Sequence, residues 1–327
     1  MKIAVRRTYY GDRLCFPGVV PNALVDVRAA YARMLVVRDG LHRGDAVVRA
    51  ERAIAADLPG LLRDDADLEQ VRRLHDWTLE HAETGDLHDG CTWQDVPELL
   101  GPPVGEPHVV WGMSGNYLRE APDPAAAGSA QSDRPAPSDR PEGPPNQRGF
   151  LKATCALAGP YDDIRYPSIS RHIVPEIELA VVIGRRCHGL RREEAMSAVA
   201  GYVILCDIGA RDVGALDGRA LDRAKGFDTF AVVGPWFVTA DEVPEPHKLR
   251  INAWVNGQVR QDGCTSGMLH DIPEQLEWLS SALTLRPGDV VSTGTPPGPA
   301  PIEPGDVLRG EIEGLGALEC VVVAESA

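Results

Sequence analysis

A ten-residue apolar run that begins with two carboxylates, Pro175–Gly184, most constrains how this chain can fold. It reads Pro-Glu-Ile-Glu-Leu-Ala-Val-Val-Ile-Gly, which is typical of a buried β-strand. Glu176 and Glu178 are two positions apart, so their side chains share one face of such a strand. Neighbouring carboxylates repel each other and lose hydration at that position. A hard divalent cation between them would offset this cost.

A third carboxylate ends the next apolar run, Gly201–Asp207. Asp207 could supply a third oxygen ligand to the same cation. The alternative is that the glutamates lie at a solvated strand edge. The spacing alone does not choose between the two, because Glu-x-Glu is common by chance.

Charge and cysteine content narrow the class of protein. A formal net charge of -15 over 327 residues argues against general electrostatic binding to nucleic acid. The seven cysteines are scattered, odd in number and form no Cys-x-x-Cys, which fits a reducing cytosol. The N-terminus lacks an apolar leader, and no run approaches the ~20 residues of a membrane span. We expect a cytoplasmic protein that binds neither nucleic acid nor membrane.

The sequence divides at about residue 105. The first part, 1–105, opens with a predicted strand at Lys2–Arg6. Helical patterns follow at Ala23–Val36 and Ala66–Glu83. We predict a small N-terminal domain here and a larger domain over 106–327.

A proline-rich insertion, 122–148, interrupts the second part. Seven of its 27 residues are proline, and Ser132–Pro135 recurs as Ser138–Pro141. Such a segment has little apolar surface to offset the entropy of ordering. We expect a mobile insertion that is either a lid or passive.

From Phe150 onward the chain is dense in strand patterns. Helices are predicted at Arg191–Ala200 and Pro273–Leu283, the latter opened by the capping pattern Asp271-Ile-Pro-Glu274. Predicted strands are Leu179–Ile183, Val203–Cys206, Ala231–Val238, Arg250–Val255, Val290–Ser292 and a terminal hairpin after Glu311. Many short strands with few helices predict a β-rich α+β domain rather than a doubly wound sheet.

These motifs together resemble the fumarylacetoacetate hydrolase family, in its isomerase and acylpyruvate hydrolase-like branch. The matching segments occur in the family's order: Gly115–Tyr117, Phe150–Lys152, Pro175–Gly184, Cys206–Asp212, Ala224–Phe230, Gly234–Trp236, Trp254–Gly257 and Leu285–Pro296.

The resemblance implies a metal-dependent enzyme with a mixed β-roll or β-sandwich catalytic domain, usually a homodimer. Members act on 2-oxo acids or β-dicarbonyl compounds by C–C hydrolysis, decarboxylation or isomerisation. We therefore expect Mg²⁺ or Mn²⁺ as cofactor and a small-molecule carboxylate as substrate.

Site residues follow from the resemblance position by position. The family's metal ligands fall on Glu176, Glu178 and Asp207, and its active-site lysine falls on Lys225. Thr295 falls on the loop that contacts the substrate carboxylate. Tyr117 and Arg211 are expected to contribute to substrate binding. Arg211 and Asp212 lie beside the metal strand, where supporting roles are expected.

The chain departs from the family where the general base is expected. The family has a histidine after Asn-Tyr and a glutamate three residues later, whereas this chain has Glu120 and Asp123. A neutral imidazole moves a proton near pH 7, but a carboxylate needs a raised pKa to do so.

Three alternatives remain open for the base. Glu120 is the base, tuned by burial; or a histidine from elsewhere, such as His172 or His270, replaces it; or activation of water is lost. The first two are compatible with hydrolysis of an acylpyruvate-like C–C bond. The third favours decarboxylation or isomerisation of a 2-oxo or hydroxydienoic acid, or a diverged, non-hydrolytic member.

Overall fold

A computed structural model describes residues 1–18, 23–82, 87, 90–94, 97–117, 146–218 and 220–325. Glu120, Asp123 and nearly all of the insertion predicted at 122–148 lie outside these residues. Within the described part of the chain, no helix is long and apolar enough to cross a membrane.

The described residues form twenty strands and eight α-helices. The strands are β1 (Lys2–Arg6), β2 (Arg13–Pro17), β3 (Ala23–Asp26), β4 (Thr92–Gln94), β5 (Leu100–Gly101), β6 (Val110–Met113), β7 (Gly149–Lys152), β8 (Leu157–Ala158), β9 (Ile164–Tyr166), β10 (Ile173–Val174), β11 (Ile177–Ile183), β12 (Val199–Asp207), β13 (Gly209–Ala210), β14 (Ala231–Val233), β15 (Phe237–Thr239), β16 (Arg250–Val255), β17 (Gln258–Cys264), β18 (Val290–Ser292), β19 (Val307–Ile312) and β20 (Gly316–Ala324). The helices are α1 (Val27–Asp39), α2 (Arg43–Ala53), α3 (Leu58–Leu61), α4 (Asp65–Glu80), α5 (Arg192–Ala195), α6 (Arg211–Leu216), α7 (Asp222–Lys225) and α8 (Ile272–Ser280).

Two large sheets build the molecule, which confirms the α+β class and its β-rich character. The larger sheet runs in the order β4-β3-β2-β1-β15-β12-β11-β18-β6-β7, with β5, β8 and β14 attached to it. The smaller sheet has the order β17-β16-β19-β20-β9, and β10 pairs with β13 apart from both.

Strand β11 lies at the centre of the core because both of its faces are buried. Leu179 and Val181 point into a cluster shared with the smaller sheet and α8. Ala180 and Val182 point the other way, into a cluster shared with the N-terminal helices. A strand covered on both faces reads as a continuous apolar run, which explains the sequence pattern of Pro175–Gly184.

The N-terminal part extends the larger sheet. β1 pairs antiparallel with β15, with Lys2 opposite Val238 and Ile3 opposite Phe237. β15 in turn pairs with β12, the strand that ends at Asp207. The division into domains at residue 105 remains a proposal.

The helix predicted at Ala23–Val36 is partly wrong. Ala23–Asp26 is strand β3, which pairs with β2, and the helix begins only at Val27. Asp26 stops the strand because its side chain accepts a hydrogen bond from the backbone N–H of Ala29 and so caps the helix.

Two predictions in the larger domain were too long. The strand predicted at Ala231–Val238 is broken at Gly234–Pro235 into β14 and β15, both paired to β12. Proline has no N–H to continue the ladder. The helix predicted at Arg191–Ala200 ends early, because Val199 already pairs with Ile183.

Candidate metal centre and active site

Three carboxylates meet where β11 begins and β12 ends. Glu176 directly precedes β11, Glu178 lies within it, and the backbone N–H of Asp207 donates to the carbonyl of Glu176 over 2.8 Å. One oxygen from each side chain lies within 4.8 Å of the others. The antiparallel pairing of β11 with β12 brings together residues that are about thirty positions apart in the chain.

Two buried lysines hold Asp207. Lys152 Nζ donates to Oδ1 and Lys225 Nζ to Oδ2, each over 2.6 Å. Burial acts to raise the pKa of Asp207, but the two ammonium groups outweigh it and lower that pKa. Asp207 is therefore an anion at neutral pH despite its complete burial.

Lys225 also connects Asp207 with Glu176. Its Nζ donates to Oε2 of Glu176 over 2.7 Å, and Arg211 donates to Oε1 of the same carboxylate. Burial acts to lower the pKa of Lys225, yet Asp207 and Glu176 raise it. Lys225 thus carries a positive charge between two carboxylates.

Glu178 has neutral partners instead. The Ser292 hydroxyl and the backbone N–H of Gly294 both donate to its Oε2, the latter over 3.0 Å. Burial, Asp207 and Glu176 raise the pKa of Glu178 well above its usual value. This carboxylate has the greatest need for a further cation.

The donor set fits Mg²⁺ or Mn²⁺. Both ions take carboxylate oxygens, and three such groups converge here with no thiolate or imidazole among them. The Lys225 ammonium already donates to both Glu176 and Asp207. Two of the three carboxylates therefore share one positively charged partner.

Two of the carboxylates, Glu176 and Glu178, line a cavity of about 780 Å³. Most of its other walls are apolar or small side chains, including Met113, Phe150 and the proline-rich loop 296–301. Water and a small organic acid therefore fit beside Glu176 and Glu178.

The structure brings most of the predicted site residues to this cavity. Its lining includes Tyr117, Glu176, Glu178, Arg211, Lys225 and Thr295. Asp207 lies behind Lys225, and Glu120 falls outside the described residues. These placements agree with the assigned roles, which remain proposals.

The Tyr117 hydroxyl is a buried donor at the cavity. It has no hydrogen-bond partner among the described residues. Burial and the nearby Glu178 raise the pKa of this phenol, so it keeps its proton at neutral pH. An orphaned buried hydroxyl beside a cavity is costly unless a ligand or water pairs with it.

The two histidines considered as replacement bases differ in position. His172 lines the cavity. His270 is absent from the described lining, and its backbone N–H donates to the Asn116 side chain. Of the two, only His172 is placed to meet a substrate in this cavity.

Sequence reasoning missed two side chains of the site. Lys152 lies in the Phe150–Lys152 motif but had no role assigned, and Ser292 ends a predicted strand. A lysine at the end of an apolar strand was the available signal for Lys152. No sequence signal joined Ser292 to Glu178, 114 positions away.

Comparison with known proteins places this site in a family. The model of the fumarylacetoacetate (FAA) hydrolase C-terminal domain matches residues 110–323, well over half of the chain. An uncharacterized protein of Pyrococcus abyssi is 46% identical over 179 residues, which are 54% of this chain and 79% of the relative.

Two solved structures cover the whole fold. The 2-hydroxyhepta-2,4-diene-1,7-dioate isomerase of Mycobacterium marinum superposes with a TM-score of 0.69 at 28% identity, covering 100% of both chains. The maleylpyruvate hydrolase of Sphingobium sp. SYK-6, solved with manganese(II) and pyruvate, has a TM-score of 0.69 at 28% identity. That match covers 99% of this chain and 100% of the hydrolase.

Proposed function

This chain belongs to the fumarylacetoacetate hydrolase family, and we propose that it hydrolyses a C–C bond in an acylpyruvate-like 2-oxo acid, using Mg²⁺ or Mn²⁺. The observation that carries the proposal is the cluster of Glu176, Glu178 and Asp207, in which Glu176 and Glu178 line the cavity and Lys225 lies beside them. A solved relative that holds manganese(II) and pyruvate supports the same type of substrate.

The proposed reaction adds water across one C–C bond. The acyl carbon gains hydroxide and is released as a carboxylate, while the methylene carbon gains a proton and leaves as pyruvate. Glu176, Glu178 and Asp207 would hold the ion, which supplies Lewis-acid stabilisation of negative charge on the substrate.

Lys225 and Tyr117 would assist with charge and orientation. The Lys225 ammonium lies beside the carboxylates, where it can stabilise negative charge that develops on a substrate oxygen. Tyr117 can donate its unused hydroxyl hydrogen to a bound substrate. Arg211 and Thr295 line the same cavity and would contact the substrate carboxylate or its tail.

The proton-transfer step needs a base, and we propose Glu120 for it. Its position in the sequence is the one at which the family has histidine, while its placement lies outside the described residues. His172 is the structural alternative because it lines the cavity.

Decarboxylation or isomerisation is the second candidate reaction. Both need less activation of water, so the exchange of histidine for Glu120 favours them. A solved relative named as a 2-hydroxyhepta-2,4-diene-1,7-dioate isomerase has the same fold. A diverged member that binds such acids without turning them over is the remaining alternative.

We propose further that the protein is a cytoplasmic homodimer. The scattered, odd set of cysteines supports the cytoplasm, and the family resemblance supports the dimer. Light scattering coupled to size-exclusion chromatography would measure the mass in solution.

Proton NMR with Mg²⁺ and a panel of acylpyruvates, oxaloacetate and hydroxydienoates tests the reaction. We expect an acylpyruvate to give pyruvate and a second carboxylate, and EDTA to stop turnover. Glu178→Ala should abolish turnover, whereas Glu193→Ala, at an exposed position on α5, should not. Retained turnover in Glu178→Ala would refute a metal role for that residue. Products of another kind would select the second candidate.

A further inference from the structure

The buried side chain of Gln261 connects Ile177, in strand β11, to the loop that contains Thr295 and Pro296. We propose that Gln261 is a positioning residue that fixes Ile177 and Thr295 relative to each other, and so sets both metal affinity and substrate binding. This inference rests on the proposed metal-dependent function.

Gln261 lies on β17 in the smaller sheet and is 1% exposed. Its Oε1 accepts from the backbone N–H of Ile177 over 3.2 Å. Its Nε2 donates to Thr295 Oγ1 and to the carbonyl of Pro296, each over 2.8 Å. The partners fix the orientation of the amide, since an N–H needs an acceptor and a carbonyl needs a donor.

A ring of hydrogen bonds closes at Ile177. The Thr295 hydroxyl donates its hydrogen to the carbonyl of Ile177 over 2.8 Å while it accepts from Gln261. Ile177 is therefore held through both its N–H and its C=O. It is also the residue between Glu176 and Glu178, so the ring holds the backbone from which two proposed metal ligands project.

Two glycines bring β17 and the loop into close contact. A Cβ at Gly263 would lie 2.5 Å from Cβ of Pro296. A Cβ at Gly298 would lie 2.3 Å from the carbonyl oxygen of Arg260, next to Gln261. Because side chains larger than hydrogen do not fit there, the loop rests directly on the strand that carries Gln261.

This ring of hydrogen bonds leads to a specific consequence. Loss of the amide would leave the Ile177 N–H and the Pro296 carbonyl without these partners, and both segments would relax. Groups that orient metal ligands from outside typically change metal affinity or activity ~10–100-fold. We expect one substitution at Gln261 to weaken both Mn²⁺ binding and substrate binding.

The test compares Gln261→Met with Gln258→Met, at an exposed glutamine on the same strand. Mn²⁺ affinity is measured by calorimetry on the full chain, and KM on the best acylpyruvate. We expect Gln261→Met to weaken Mn²⁺ binding about tenfold and to raise KM. Gln258→Met should stay within twofold of wild type. Values for Gln261→Met within twofold of wild type overturn the inference.

A second pair of variants covers the case in which Gln261→Met does not fold. Thr295→Ser keeps the hydroxyl of the ring and should retain Mn²⁺ affinity, whereas Thr295→Val removes it and should not. Equal affinities for the two overturn the inference. Where both single variants fold, the double variant Gln261→Met/Thr295→Val should bind Mn²⁺ no more weakly than Gln261→Met. The two substitutions break the same ring of hydrogen bonds, so their effects should not add.

The outcomes separate this inference from the proposed function. Mn²⁺ binding without acylpyruvate turnover would refute the hydrolysis but leave the Mn²⁺ comparisons intact. Deuterium exchange in the metal-free protein supplies an independent readout. The peptide that contains Ile177 should exchange faster in Gln261→Met than in Gln258→Met, and equal exchange counts against the ring.

Discussion

Lys152 Nζ lies 2.6 Å from Oδ1 of Asp207, and both side chains are almost completely buried. The ammonium also donates to the backbone carbonyl of Lys225 over 2.7 Å. This pair lies behind the cavity rather than in its lining. Lys152 therefore acts as a fixed counter-charge for Asp207.

Replacing Lys152 with Met should destabilise the protein strongly. Removal of one partner from a buried ion pair typically costs about 3–5 kcal/mol, and we expect the lower end because Lys225 still donates to the other oxygen of Asp207. Urea unfolding measures the loss. The control is Lys248→Met, since Lys248 is exposed and pairs only with Glu245 at the surface among the described residues. An equal, small effect of both substitutions would contradict the assigned role of Lys152.

The contribution of Glu178 to the stability of the metal-free protein should fall as the pH rises above the usual pKa of a glutamate. Glu178 has a pKa well above its usual value in the folded state, so the folded state holds a proton that the unfolded chain has released. The Glu178 contribution is complete below the unfolded pKa and is lost as the pH rises through the folded pKa. Thermal unfolding in EDTA, measured at a series of pH values from below the usual pKa of a glutamate upward, would show this loss of stability. Glu178→Gln, which cannot titrate, should flatten this part of the profile.

Binding of Mn²⁺ should reverse that pH dependence. The ion needs an ionised Glu178, so its affinity rises as the proton leaves. Stabilisation by saturating Mn²⁺ should therefore be larger at the alkaline end, and a constant stabilisation would argue that Glu178 is not a ligand.

Ser292→Ala should weaken Mn²⁺ binding. The Ser292 hydroxyl donates to Glu178 Oε2 and so orients that carboxylate. Loss of such a partner usually changes metal affinity ~10–100-fold, and we expect the lower end because the Gly294 N–H still donates to the same oxygen. Calorimetry measures the change against Ser281→Ala, whose hydroxyl donates to the carbonyl of Trp278 at the helix surface. Equal Mn²⁺ affinities for Ser292→Ala and Ser281→Ala would refute the orienting role of Ser292.

If Glu120 is the base, Glu120→Gln should lower the kcat of hydrolysis about a hundredfold. This is the lower end of the usual contribution of general-base catalysis. His172→Asn is the matched comparison, because His172 lines the cavity. A loss confined to His172→Asn would move the role to the histidine. Normal turnover in both would indicate a reaction without either base.

Local patterns predicted the edges of several elements well. Lys2–Arg6, Arg250–Val255 and Val290–Ser292 are strands with the bounds expected from sequence. Helix α8 begins with the expected reciprocal cap between Asp271 and Glu274, although it ends at Ser280 rather than Leu283. These signals involve residues that are close in sequence.

The sequence predictions failed where the structure depends on contacts between residues that are far apart in the chain. The helix expected at Arg191–Ala200 gave way to the pairing of Val199 with Ile183. The three carboxylates were predictable from spacing and resemblance. Gln261 was not, since its partners lie 84 and 34 positions away and a glutamine on a polar strand reads as exposed.

The continuity of β1 with β15 also determines how this chain can be divided. Truncation at residue 105 would remove β1 and leave Phe237 and Val238 on an open strand edge next to β12. Open apolar edges recruit strands from other molecules. We therefore expect a fragment of residues 106–327 to self-associate on expression. A chimera that exchanges the first hundred residues must supply an equivalent edge strand.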